Sequence, residues 1–127
     1  SDGYSLKSAV ARVTGNADEA LEYAEKGLSY DSSNVELIRA KAMAYAADGD
    51  FENAKKMTDQ AMSITSYGML HMTAAVIENE LGNKDSVETY LKELEENDLE
   101  LSDKLQSYFD GEITAVQVFT EGTGDVE

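Results

Sequence analysis

Few residues in this chain are able to do chemistry, and their spacing decides what each is available for. The one histidine, His71, has no cysteine and no second histidine to share a metal with. A transition-metal site needs three or four such donors converging, so a packed imidazole is the expectation. Asp48, Asp50, Glu52 and Asp59 fall at the first, third, fifth and twelfth places of a calcium-loop spacing. The sixth place, which needs a glycine for its sharp turn, is Asn53, and the stretch reads as a turn running into a helix. There is no phosphate-cradling glycine loop, nucleophile motif or Asn-x-Ser/Thr sequon. The expectation is a non-enzyme: no catalytic residue, no cofactor, no metal.

Charge narrows the partners. Acidic residues outnumber basic ones 26 to 10, a net charge of −16. That balance opposes a polyphosphate backbone, which is bound through clustered Lys and Arg. Nucleic acid is therefore excluded as an expected partner, and most of the acidity serves solubility. No apolar run approaches the roughly 18 residues of a membrane span, so no direct insertion by this segment is expected. The opening Ser1-Asp2-Gly3 resembles a trimmed edge and lacks the basic-then-apolar pattern of a signal peptide, which suggests a fragment of a longer protein. Without cysteine the redox compartment stays undetermined, cytoplasmic or extracytoplasmic.

The elements that must position these residues are helices. Proline is absent, and Ala, Glu, Leu, Lys and Met are plentiful. One phrase recurs: Gly15-Asn16-Ala17-Asp18-Glu19-Ala20, Gly49-Asp50-Phe51-Glu52-Asn53-Ala54, and Gly82-Asn83-Lys84-Asp85-Ser86-Val87. Its glycines stand 34 and 33 residues apart. Glycine takes a positive φ at little cost and ends one helix. The Asn or Asp after it suits the start of the next. Ala20, Ala54 and Val87 are small enough for two helices to approach closely. The spacing and phrases predict helices over about 4–14, 17–30, 34–47, 51–64, 68–81 and 84–96. Asp31-Ser32-Ser33-Asn34 forms a loop and cap.

A helix–turn–helix phrase at this period resembles the tetratricopeptide repeat (TPR). The resemblance covers about residues 1–96. It divides a single domain, 1–127, into repeats at about 1–34, 35–67 and 68–101, with a capping segment at 102–127. The family's small and apolar positions are met by Tyr4, Ser8, Ala11, Ala20, Ala24, Gly27 and Leu28. The second repeat supplies Ile38, Ala42, Tyr45, Ala54, Thr58, Ala61 and Met62. The third supplies His71, Ala75, Glu78, Val87, Leu91, Leu94 and Glu95. Departures are Lys7 and Lys41 for a usual Leu, Ser32 and Ser66 for a closing Pro, and Glu78 for an aromatic. The lysine stems can cover apolar surface while the ammonium reaches water.

The resemblance implies an all-α fold, a right-handed α-solenoid of three antiparallel helical hairpins with a C-terminal capping helix. Leu101, Leu105, Tyr108 and Phe109 form an apolar stripe, read as a helix at 102–110 with Ser102 as N-cap. Asp110-Gly111 breaks it. The β-branched run 113–120 suggests a strand by composition. With no strand partner its backbone groups would stay unpaired, so a short helix capped by Thr114 is preferred. The closing Gly124-Asp125-Val126-Glu127 resembles the opening of another repeat's second helix.

The function the resemblance implies is binding of a protein or peptide by a non-catalytic scaffold module. In the family, the first helix of each hairpin lines a concave face. Carried over, that face holds Asp2, Ser5, Ala9, Arg12 and Val13, then Glu36, Arg39, Met43, Ala46 and Ala47, then Met69, Met72, Val76, Asn79 and Glu80. Both arginines of the chain fall on it. Guanidinium geometry allows Arg12 and Arg39 to fork onto a ligand carboxylate, with Met43, Met72 and Val76 as an adaptable apolar floor and Asn79 beside them. The bland alternative pairs the arginines with local acids such as Asp2 or Glu36. The Lys and Asn of the chaperone-type carboxylate clamp are not reproduced, which argues against a co-chaperone. A structural spacer or homo-oligomerisation unit, such as the extracytoplasmic part of a bacterial membrane-anchored protein, is the alternative function.

Overall fold

The structure is a computed structural model and describes residues 3–119. Asp2, Thr120 and the closing Gly124–Glu127 therefore lie outside the described residues. Among those described there are eight α-helices and no strand. They are α1 (Tyr4–Val13), α2 (Ala17–Tyr30), α3 (Val35–Ala47), α4 (Phe51–Ile64), α5 (Gly68–Glu80), α6 (Lys84–Asn97), α7 (Leu99–Phe109) and α8 (Ala115–Phe119). The first six start and stop within one residue of the bounds expected from the glycine and cap positions.

The glycine phrase acts as its chemistry demands. Gly15, Gly49 and Gly82 take φ of 83°, 80° and 79°, a region that a side chain strains. At each turn the glycine N–H and the following N–H return to carbonyls three and five residues back. At the first, Gly15 N–H reaches Arg12 O at 3.1 Å and Asn16 N–H reaches Ala11 O at 2.8 Å. This pairing satisfies carbonyls that the helix end would otherwise leave free. The same pattern recurs at Gly111, through Tyr108 O and Ser107 O. Here the residues expected only to break a helix make a fourth turn of the same kind.

The next helix is then capped. Asn16, Asn34 and Asp50 accept from the N–H of Glu19, Leu37 and Asn53. Asn53 bonds to Asp50 through both its side chain and its backbone, holding that carboxyl below its ordinary range. Asp59 lies 3.6 Å from Lys55. The acids with calcium-loop spacing are thus the exposed C-cap of α3 (Asp48), the N-cap of α4 (Asp50) and two surface groups of α4. The penultimate helix starts earlier than expected. Asp98 rather than Ser102 caps α7, accepting from Leu101 N–H at 3.3 Å, and Ser102 is buried one turn inside. An acid before a short apolar run outcompetes a serine within it.

Consecutive helices pack as pairs: α1 on α2, α3 on α4, α5 on α6. Each first member also packs on the next, α1 on α3 and α3 on α5, while α7 closes on α5 and α6. Small residues set these crossings. Ala20 and Ala54 are fully buried, and the Ser8 hydroxyl, also buried, donates to Ala20 O at 2.8 Å. At Gly27, a Cβ would stand 2.8 Å from Leu37 Cδ1, so only glycine fits that contact without movement. His71 is half-buried, stacked on Tyr90 and within 2.7 Å of Ser66 Oγ.

Glu78 is the sharpest local departure, a carboxylate 2 % exposed where an aromatic was expected. A buried charge is tolerable only when paired and hydrogen-bonded. Lys55 Nζ and Asn83 Nδ2 each donate to it at 2.6 Å. The hydrogen bond to Glu78 raises the Lys55 ammonium above its ordinary value. Asn83 thus gives its side chain to Glu78, and it makes no side-chain cap bond to α6.

Replacing Ala54 by Leu inserts three carbons into a crossing with no space and should cost about 1–3 kcal/mol. Thermal unfolding of the variant checks this. An unchanged Tm would mean that α3 and α4 do not cross at Ala54.

Candidate functional site

Of the residues expected on the binding face, Ser5, Ala9, Arg12, Glu36, Arg39 and Met43 line one depression between α1 and α3, while Met72 and Val76 of α5 share a buried cluster with Met43. The depression has a volume of about 310 Å³ and is lined by Leu6 as well. A larger, more open hollow on the outside of α2 is lined by Glu19, Glu22, Tyr23, Glu25 and Lys26. It holds solvated surface groups and no converging chemistry.

One expectation about this face needs correction. The arginines were expected to be partly accessible, but Arg12 is 2 % and Arg39 6 % exposed. Met43, Met72 and Val76, expected as the apolar floor, are all buried. Arg39 is enclosed by Glu36, Met43 and Thr73, and Arg12 is closed over by α8. The short α8 packs on α5 and α7. Its Val118 and Phe119 are fully buried in the same apolar cluster as Met43, Met72 and Val76. Sequence reasoning found α8 and its cap. Thr114 Oγ1 accepts from Gln117 N–H at 3.2 Å, while the Gln117 side chain accepts from Thr114 N–H at 2.8 Å. It did not place the helix against the face, because β-branched residues in a five-residue segment carry no signal of which surface they cover.

The electrostatics are unbalanced. Arg12 Nη2 donates to the Phe119 carbonyl at 3.0 Å. Its Nε and Nη1 are buried without a hydrogen-bond partner. Among the described residues no carboxylate lies within salt-bridge distance of Arg12. Burial first, and then the charge of Arg39, pull its guanidinium down to about 10, with Glu36 acting in the opposite sense. From an ordinary 12.5, that is roughly 3 kcal/mol against the charged form. Arg39 is better supplied. It donates to Glu36 Oε1 and Thr73 Oγ1, each at 3.2 Å, and reaches Met43 Sδ at 3.4 Å. Its Nε is also without a partner. The local pairing with Glu36 therefore exists, but one carboxylate, half exposed, serves two buried cations.

Asn79 is exposed and already engaged, donating to the Tyr108 hydroxyl at 2.9 Å. That hydroxyl donates in turn to Glu80. The pair ties the end of α5 to α7, so Asn79 holds the capping helix. Burial and the bond to Glu80 push the Tyr108 phenol up to about 12. No protein-family model matches the chain, and neither does any curated protein.

Two outcomes follow from these environments. Substituting Arg12 by Met removes a buried charge with orphaned donors and its bond to the Phe119 carbonyl. Stability should be unchanged or raised by up to about 3 kcal/mol, as when buried ionic groups give way to apolar ones. A loss above about 2 kcal/mol in chemical denaturation would make Arg12 a structural tie. Tyr108 contributes through its neutral form. Its value lies above the ordinary 10.0, so that contribution is full below pH 10 and is lost as pH rises through about 12. The stability advantage of wild type over Tyr108→Phe should therefore shrink between pH 10 and pH 12. A constant difference across that window would contradict the Tyr108–Glu80 bond.

Proposed function

We propose that this chain is a TPR-like right-handed solenoid of three antiparallel hairpins, and that it binds a protein or peptide segment along the face of α1, α3 and α5. The observation that carries this reading is the Arg12–Arg39 pair. These are two buried guanidiniums at the base of one depression, with three donor nitrogens lacking any acceptor. A fold that keeps an unpaired cation at its interior edge gives up stability for it, and such a group is a candidate for a binding role. The helix pairing, the recurring glycine turns and the buried small residues support the solenoid part of the reading.

The ligand chemistry follows from the lining. Arginine selects a carboxylate, with two parallel N–H···O bonds when geometry allows. Methionine adapts to an irregular apolar side chain. The acidity of the rest of the chain disfavours a run of acids, so a single carboxylate beside an apolar residue fits best. No step of bond making or breaking is assigned to the face.

The test is capture from the native source with the wild-type chain, with Arg39→Ala, and with Glu22→Lys as a control on the outer surface of α2. Partner recovery should fall at least tenfold for Arg39→Ala at unchanged helicity and stay at the wild-type level for Glu22→Lys. Equal recovery by all three would remove this face from the function.

A further inference from the structure

Helix α8 packs beside the proposed binding face, with Val118 and Phe119 in one buried cluster with Met43, Met72 and Val76, and the way it packs bears on regulation. Helix α8 has only five residues, and an isolated helix of that length has no stability of its own. What holds it is the burial of Val118 and Phe119 in the cluster with Met43, Met72 and Val76, and the bond from Arg12 to the Phe119 carbonyl. That bond joins residues 107 apart in sequence and links α1 to α8. Further supports are the packing of α8 on α5 and α7, the Thr114–Gln117 cap, at two exposed positions, and the exposed turn at Gly111.

The fit is good for the apolar part and poor for the charged part. Val118 and Phe119 satisfy the floor. The Phe119 carbonyl gives Arg12 one neutral acceptor where a guanidinium offers five donors. Nε and Nη1 of Arg12 and Nε of Arg39 stay buried and unpaired. A charged acceptor in the same place would form stronger, shorter bonds and more of them.

We propose that α8 is an internal competitor for the face of α1, α3 and α5, displaced by a partner segment that carries a carboxylate beside a large apolar side chain. The inference rests on the reading of that face as the binding surface. The partner's apolar side chain takes the place of Phe119, and its carboxylate takes the place of the Phe119 carbonyl against Arg12. Measured affinity is then reduced by the fraction of molecules in which α8 holds the face. Weakening α8 raises affinity without changing any residue that touches the ligand.

The probe is a synthetic peptide of the sequence 113–119, ending in a free carboxylate after its Phe, alongside the same peptide with an amide end. Each is titrated into the full chain by fluorescence anisotropy. The proteins are wild type, the double variant Thr114→Gly with Gln117→Gly, and that variant with Arg12→Gln added. The glycine changes lie at exposed positions and loosen α8 without removing a buried side chain. Phe119→Ala serves as a second way to empty the face, and circular dichroism checks that helices α1–α7 remain.

The free-acid peptide should bind the loosened chain at least tenfold tighter than wild type. It should also bind at least tenfold tighter than the amide, a preference that disappears with Arg12→Gln. Equal affinity for wild-type and loosened chains would overturn the competition, and so would no binding to either loosened form. Equal affinity of acid and amide would overturn the carboxylate selection. Recovery of the native partner with and without Arg39→Ala is read separately. Loss of recovery there, with no effect of loosening α8 here, would sink the competitor and leave the binding face standing.

Discussion

Three helices lying side by side present apolar side chains to a common flank, and something must take that flank out of water. In this chain the constraint falls on Met43, Met72 and Val76, contributed by α3 and α5. They are buried in one cluster with Val118 and Phe119 of α8. At roughly 25 cal/mol per Å² of apolar surface, a covered Phe and Val account for a few kcal/mol, a large share of the margin by which a domain of this size is stable. The order of the remaining elements follows. Helix α7 must cover α5 and α6, the turn at Gly111 must send the chain back, and Thr114 must restart it.

The same placement creates the molecule's least comfortable feature. Closing the flank excludes water from Arg12 and gives it a single backbone carbonyl in exchange. Other buried polar groups are better balanced. Glu78 has Lys55 and Asn83, and the Ser8 hydroxyl has the Ala20 carbonyl. The contrast between a fully served carboxylate at residue 78 and an under-served guanidinium at residue 12 separates structural polarity from polarity kept for another purpose. Stability and binding then pull on Arg12 in opposite directions, which is the general condition of sites that await a ligand.

Much of the helical architecture was legible because its signals are local. A glycine that must adopt a positive φ, an Asn or Asp one residue on, and an alanine at the crossing write their conformations into single positions. Those positions recur, so errors in one copy are corrected by the others. Beyond the third copy that redundancy ends, and there the reading slipped by a turn, choosing Ser102 over Asp98. The repeat phrase also put Arg12, Arg39 and Met43 on one side, and they line one depression. The accessibility of that face was not legible. Whether Met72 meets water depends on where residues 118 and 119 settle, a long-range packing outcome with no periodic trace. Glu78 was visible as an anomaly, but its solution, a lysine 23 residues earlier and an asparagine five later, needed three dimensions.

The central claim is that α8 covers the flank formed by α1, α3 and α5. Methionine methyl groups report on it directly, because Met43 and Met72 lie under that cover while Met57, Met62 and Met69 are only partly buried. With methyl-labelled methionines and a soluble paramagnetic agent, Met43 and Met72 should relax markedly more slowly than the other three. Loosening α8 through Thr114→Gly and Gln117→Gly should bring both toward the faster group. If Met43 and Met72 relax as fast as Met57, Met62 and Met69 in the unaltered chain, the flank is open and the account is contradicted.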